Sequence, residues 1–299
     1  MRNKVLVFAM VVMVFSGCES VSYDITIEAV APNWTSDNKV VFVKQKRIWE
    51  VRHTVSGEMS YMKAESTWLY EVNVDGSGKE EKGLLFSIPK GINSLSSAGD
   101  WVVIGASKHG EIWVVRRDGS ELIEVGEGFY PDFSPDGSKI VYEKGYVVVS
   151  DTGVNIIHQG IWVMNRDGSN NHPIWGDSIN RMPAWSSDGG RIALERDEGR
   201  GDRDIWIIDT SGSNRVKLLD TEFQYPIGPF VWAPADTNAI IVYNTIYYLD
   251  SFAQIDTSRG LPGASYYGWS PNGEYLIGID TEGVFIMRVN GTNKVYINP

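Results

Sequence analysis

The stretch FSPDGSKIVY, Phe133 to Tyr142, constrains this chain more than any other because it returns. Partial copies read NWTSDNKVVF (33–42), SLSSAGDWVV (94–103), AWSSDGGRIAL (184–194), VWAPADTNAIIVY (231–243) and GWSPNGEYLIGI (268–279). Each has an aromatic or leucine, a tight polar turn and a β-branched run. A second pattern follows each copy: LYEVNVDGSG (69–78), IWVVRRDGS (112–120), IWVMNRDGSN (161–170), IWIIDTSGSN (205–214) and VFIMRVNGTN (284–293). In the fifth unit IYYLDSFAQ (246–254) keeps the run and loses the Asp-Gly turn. Short apolar strands such as Leu122–Val125, Val216–Leu219 and Val295–Ile297 come next.

The turn chemistry makes each unit four antiparallel strands. Pro presets φ, Asp bonds its own backbone, and Gly accepts positive φ. Asp-Gly between apolar runs signals a hairpin. Runs such as Ile205-Trp206-Ile207-Ile208 barely alternate, so both faces are buried, as in a sheet packed between two others. Six four-stranded units of roughly 40 residues predict an all-β, six-bladed β-propeller of four-stranded antiparallel blades over 31–299. The 11 Trp and 31 Gly in 299 residues suit short strands and tight turns. The net charge of -11 argues against a nucleic-acid partner, which needs a basic surface.

The W-S-P-D-G…I-W-V-M-N-x-D-G-S-N repeat resembles the TolB-type propeller repeat. The same repeat occurs in the propellers of prolyl oligopeptidase relatives and in oligogalacturonate lyases. The resemblance implies a propeller and, through TolB, a protein partner at the cell envelope. About 13 residues separate Cys18 from the first blade, which leaves no room there for the α/β domain that precedes the TolB propeller.

Residues 1–18 read MRNKVLVFAMVVMVFSGC. Arg2 and Lys4 precede an apolar run, Val5 to Phe15, too short to span a bilayer permanently. The run ends in Phe15-Ser16-Gly17-Cys18, which resembles a bacterial lipobox. That resemblance implies a signal peptide over 1–17, acyl chains on Cys18 and a lipidated tether over 18–30. Several acyl chains hold a protein stably on a membrane, at roughly 0.8 kcal/mol per buried methylene. Glu19, where inner-membrane lipoproteins often carry Asp, points to the outer membrane. Cleavage removes two positive charges, so the mature chain carries about -13 (-11 minus 2). Ile25–Val30 (ITIEAV) is a further candidate strand, able to close the ring against the last blade.

In an antiparallel blade the SPDG and DGSN turns share one face, and the loops joining second to third strands share the other. The second kind varies most. The first unit runs from Trp34 to Leu69 before its third strand, the sixth only from Trp269 to Val284. Variable loops on a rigid scaffold make that face the candidate binding face. His53, His109 and His158 fall in these loops. Arg196 belongs to the charged insertion ERDEGRGDRD (195–204). Tyr130, Arg181, Tyr225 and Tyr266 precede first strands, where they aim at the channel mouth. Tyr and Arg suit peptide or glycan contact.

No G-x-S-x-G elbow, phosphate loop or HExxH is present. The expected function is a monomeric, non-enzymatic, membrane-anchored propeller binding an envelope protein, peptide or glycan, with no cofactor and no metal. The alternative is a polysaccharide lyase or hydrolase that uses histidines of the loop-rich face.

Overall fold

The computed structural model describes residues 20–54, 57–75, 77–84, 92–106, 110–150, 153–199, 202–220, 230–250 and 252–297. The described residues form 24 strands in six four-stranded sheets, each built from consecutive strands. The sheets are β1–β4 (Ser20–Trp34, Lys39–Thr54, Gly57–Asn73, Glu80–Leu84) and β5–β8 (Ile92–Ala98, Trp101–Ala106, Glu111–Arg116, Ile123–Glu127). Next come β9–β12 (Phe129–Phe133, Lys139–Ser150, Gly153–Asn165, His172–Trp175) and β13–β16 (Asn180–Trp185, Arg191–Gly199, Asp202–Asp209, Arg215–Leu219). The last are β17–β20 (Val231–Trp232, Ala239–Val242, Thr245–Leu249, Ile255–Gly260) and β21–β24 (Ser265–Trp269, Tyr275–Asp280, Gly283–Arg288, Val295–Tyr296). All strand pairs are antiparallel, as the repeat predicts.

Six apolar cores lie between sheets, not within them. Val41 and Leu69 of the first blade pack with Val102 and Ile104 of the second. The same pattern continues around the ring. The sixth core joins Trp34, Phe42 and Val72 of blade one to Ile277, Val284 and Ile286 of blade six. Each central strand is therefore buried on both faces, which is why Ile192, Ala193 and Leu194 are all fully buried in succession. First strands neighbour one another around the ring, from β1 to β5 to β9 and back from β21 to β1.

The turns behave as their sequences require. Asp136 Oδ1 accepts the backbone N–H of Ser138 at 3.0 Å and the Ser134 hydroxyl at 2.6 Å. These bonds hold its carboxyl down to about 2. The DGSN glycines do more than turn. Gly119 has φ +85, and a Cβ there would lie 2.3 Å from the Lys82 carbonyl of β4. Gly168 meets Val125 of β8, and Gly212 meets Ile174 of β12, in the same way. These glycines are where one blade's turn touches the outer strand of the blade before it.

Ile25–Val30 lies in β1, paired with β2 of the first blade from Ile48 to Val43. Blade six takes its fourth strand from β24 instead. Ser20–Tyr23, expected in the tether, also belongs to β1. Residues 1–17 and Cys18 lie outside the described residues.

Candidate functional site

The variable insertions are built as strand extensions. β2 and β3 pair for sixteen positions' length, from Lys39 with Asn73 to Thr54 with Gly57. β10 and β11 pair from Lys139 with Asn165 to Ser150 with Gly153. Both ribbons leave the ring on the side opposite the SPDG turns.

The first strands β1, β9 and β13 carry a bulge where they face that side. Phe129 pairs with Glu143 and Asp132 with Val141, so three steps on β9 match two on β10. Arg181 and Ala184 pair across the same mismatch with Glu195 and Ala193. The bulges hold Tyr130-Pro131 and Met182-Pro183, and the equivalent bulge in β1 holds Ala31-Pro32. Proline is tolerated there because an edge-strand bulge needs no donor. Tyr130 and Met182 both have φ +50, a strained value for a non-glycine residue.

Beside these bulges lie two buried carboxylates, Glu143 and Glu195, both at 0% exposure. They occupy equivalent places in blades three and four, opposite Phe129 and Arg181. Glu143 is bonded to His158 Nδ1, accepts the Met182 backbone N–H at 3.1 Å, and lies 3.8 Å from Arg181 Nε. Glu195 is ion-paired with Arg203. Tyr130 follows Phe129, the strand partner of Glu143, and burial, then the charges of Glu143 and Glu195, push its phenol upward and keep it neutral. Tyr243, exposed at a hairpin tip of blade five, is shifted the same way by burial and by Glu195. Among the described residues the Tyr130 hydroxyl has no hydrogen-bond partner.

The sequence candidates thus divide. Tyr130, Arg181 and His158 converge around Glu143. Arg196 sits one step further out, bonding Asp177 and Asn180 at 2.9 Å each and Glu198 at 3.0 Å, with its guanidinium over Trp175. Tyr266 does not line the mouth: it is 1% exposed, packs edge-on against Phe285, and donates to the Pro262 carbonyl at 2.7 Å. Its place in the strand buries it between blades five and six. For His53 only the backbone is described, paired with Ser20 and Glu58. His109 and Tyr225 lie outside the described residues. Among the described residues no three His, Cys, Asp or Glu side chains converge as metal ligands.

Glu143 and Glu195 escaped sequence reasoning. The available signal was their shared place, nine residues after Ser134 and Ser186 in strands otherwise apolar. A carboxylate in such a strand needs partners.

The SPDG end holds a separate feature. A cavity of about 360 Å³ lies there on the ring axis, walled by Trp34, Phe133, Trp185, Trp232 and Trp269 from five blades. Asp132 is the one ionisable residue in its lining. Asp132 Oδ2 accepts the Trp185 backbone N–H at 2.6 Å, joining β9 to β13. Burial pushes its carboxyl up to about 6.

No protein-family model matches the chain. Over 111 residues it is 30% identical to the uncharacterized protein Atu1656 of Agrobacterium fabrum, covering 34% of this chain and 38% of that one. The chain thus spans well under half of that relative's length. Among solved structures, a chain of a nidogen/laminin complex matches with TM-score 0.57 at 13% identity, over 91% of this chain and 93% of that one. TolB from Acinetobacter baumannii matches with TM-score 0.47 at 16% identity, over 89% of this chain and 53% of that one. The protein is a six-bladed β-propeller with TolB-like structural neighbours.

Proposed function

We propose that this protein is a non-enzymatic binding propeller of the cell envelope, anchored through lipid on Cys18, that takes a protein segment at the loop-rich end of blades three to five. The observation that carries the reading is the convergence of Tyr130, Arg181 and His158 on buried Glu143, at a strained bulge and beside a second buried carboxylate. Buried charges and backbone strain together are costly, and they gather where a protein binds or reacts. Arg and Tyr are also the side chains that most often dominate protein contacts. A glycan meets the same surface less well, because its hydroxyls do not use the apolar ribbon beside the site.

A photo-crosslinking residue placed at Tyr130, with a control at Asp136 on the opposite face, tests this in cells. A discrete adduct from position 130 and none from 136 is the expected result. Adducts from 136 alone would move the binding face to the SPDG end. Cys18→Ala should release the chain from membranes, and tight membrane association of that variant would sink the anchor.

A second reading rests on one observation, the His158–Glu143 pair. A carboxylate that orients an imidazole is half of an acid–base system. Among the described residues no hydroxyl or thiol bonds to His158, so the missing half would have to come from a substrate. Turnover of a pectic oligosaccharide that His158→Ala abolishes would establish the lyase over the binding protein.

A further inference from the structure

The ribbon of β10 and β11 extends beyond both of its neighbours. β9 pairs with β10 no further than Glu143, and β12 pairs with β11 from Val163 only to Ile161. Past those points β10 runs on through Gly145–Ser150 without a described partner on its inner edge. An unpaired edge presents a row of free N–H and C=O groups. Proteins usually blunt such an edge with a charge, a proline or a short strand. Gly145–Ser150 has no charge and no proline, and reads GYVVVS.

Its side chains are exposed as well. Tyr146 is 43% exposed, Val149 73%, and Ile157 across the ribbon 43%. Tyr146 and Ile157 are direct cross-strand partners, as are Val147 and Ile156. Both faces of the ribbon therefore carry apolar groups in water, which monomeric surfaces rarely keep without a use. Gln159 is the extra residue of a bulge between Lys144–Gly160 and Gly145–His158. Gly160 makes it possible, since it has φ +89 and a Cβ there would lie 2.4 Å from the Trp175 carbonyl. The bulge turns the ribbon at the level of the polar cluster, so the free edge ends beside Glu143 and Tyr130.

The cluster offers what an extended chain needs at that point. With Nδ1 of His158 bonded to Glu143, Nε2 has no hydrogen-bond partner among the described residues, and an imidazole nitrogen can serve as an acceptor. The Tyr130 hydroxyl and the Arg181 guanidinium supply donors. Donors and an acceptor side by side match a peptide amide, which has one of each.

We propose that an extended segment of a partner protein pairs with β10 along Gly145–Ser150 as an added strand, and that the peptide unit leaving this strand is held by Tyr130, Arg181 and His158. This rests on the binding face proposed above and names its ligand: an uncharged, β-forming stretch with apolar side chains at alternate positions. Strand addition draws affinity from main-chain bonds and selectivity from alternate side chains.

The test uses the full chain and random 12-residue peptides displayed on phage. Enriched peptides are synthesised with a fluorophore and titrated by anisotropy. Three proteins are compared: wild type, a variant in which 146–157 is replaced by Asn-Gly, and Arg181→Ala. Each peptide is also made with N-methyl groups at alternate amides. The expected result is at least a tenfold loss of affinity in the shortened variant, with a similar loss on N-methylation in one register and not the other. Binding that survives shortening but fails in Arg181→Ala overturns strand addition and leaves the face standing. Binding indifferent to both changes overturns both, as does the absence of any enriched peptide. Concentration-dependent dimerisation lost on shortening would assign the edge to a second copy and overturn the proposal. Ribbon-dependent binding to phosphatidylglycerol vesicles would assign it to a membrane surface and overturn the proposal equally. Circular dichroism of the shortened variant, unchanged apart from the lost ribbon, shows that the ring still folds.

Discussion

Glu143 of blade three accepts the backbone N–H of Met182 in blade four at 3.1 Å, the residue whose φ of +50 makes the bulge. A buried carboxylate of one blade thus pins the strained edge strand of the next. Glu143→Gln keeps an acceptor for Met182 and should cost about 1 kcal/mol of stability. Glu143→Ala leaves a buried N–H unpaired and should cost about 2–3 kcal/mol. Urea midpoints measure both. Equal losses would mean that charge, not the backbone bond, is what matters there.

Asp132 ties blade three to blade four at the other end of the ring, and its carboxyl rises to about 6 from 3.8. The native state holds this proton where the unfolded chain has released it. Its contribution is therefore full below about pH 4 and is lost as pH rises through 6. A shift of that size corresponds to at most about 3 kcal/mol. Asp132→Asn should remove this pH dependence, so the stability difference between variant and wild type moves in the variant's favour between pH 4 and 7. A constant difference across that range would refute the assignment.

Gly119 and Gly99 both have positive φ, +85 and +56, but only Gly119 faces another blade. Nothing lies within 4 Å of a Cβ at Gly99. Gly99→Ala should cost about 1 kcal/mol through backbone strain alone, and Gly119→Ala about 3 kcal/mol because blade one must also give way. Thermal unfolding of the pair separates the two effects.

Arg117 joins Glu71 at 2.6 Å and Asp37 at 2.9 Å, and Lys39 bonds Glu71 at 2.8 Å. Burial pushes the Glu71 carboxyl up, but bonds from Lys39 and Arg117 outweigh it and hold it below the usual range. A lowered carboxylate stabilises at neutral pH and loses that contribution in acid. Arg117→Ala should cost about 1–2 kcal/mol at pH 7 and move acid unfolding to higher pH. An unchanged acid midpoint would show that Lys39 and Lys82, the latter 3.7 Å from Glu71, suffice.

The blades were legible because their turns are local. Ser134, Asp136 and Gly137 bond to one another within a few residues, so their spacing carries the information. The candidate site was legible only in part. Tyr130, Arg181 and His158 stood out as polar residues in connections. Glu143 and Glu195 did not: the partners of Glu143 lie 15 and 39 positions away, and Glu195 meets Arg203 only once β14 and β15 pair. Tyr266 misled because its neighbour in the chain is a connection, while its side chain is set by Phe285 across the sheet. The YVVV run of 146–149 carries a strand signal of its own in its β-branched residues, outside the period of the repeat.

Among the described residues blades one and six share no strand; their union is a layer of side chains, with Gly268 leaving 2.8 Å between an added Cβ and the Trp34 ring. Every seam is then of the same kind, and the order of the blades along the chain is a matter of where the gene starts. A circularly permuted gene that begins at any other blade should encode the same ring.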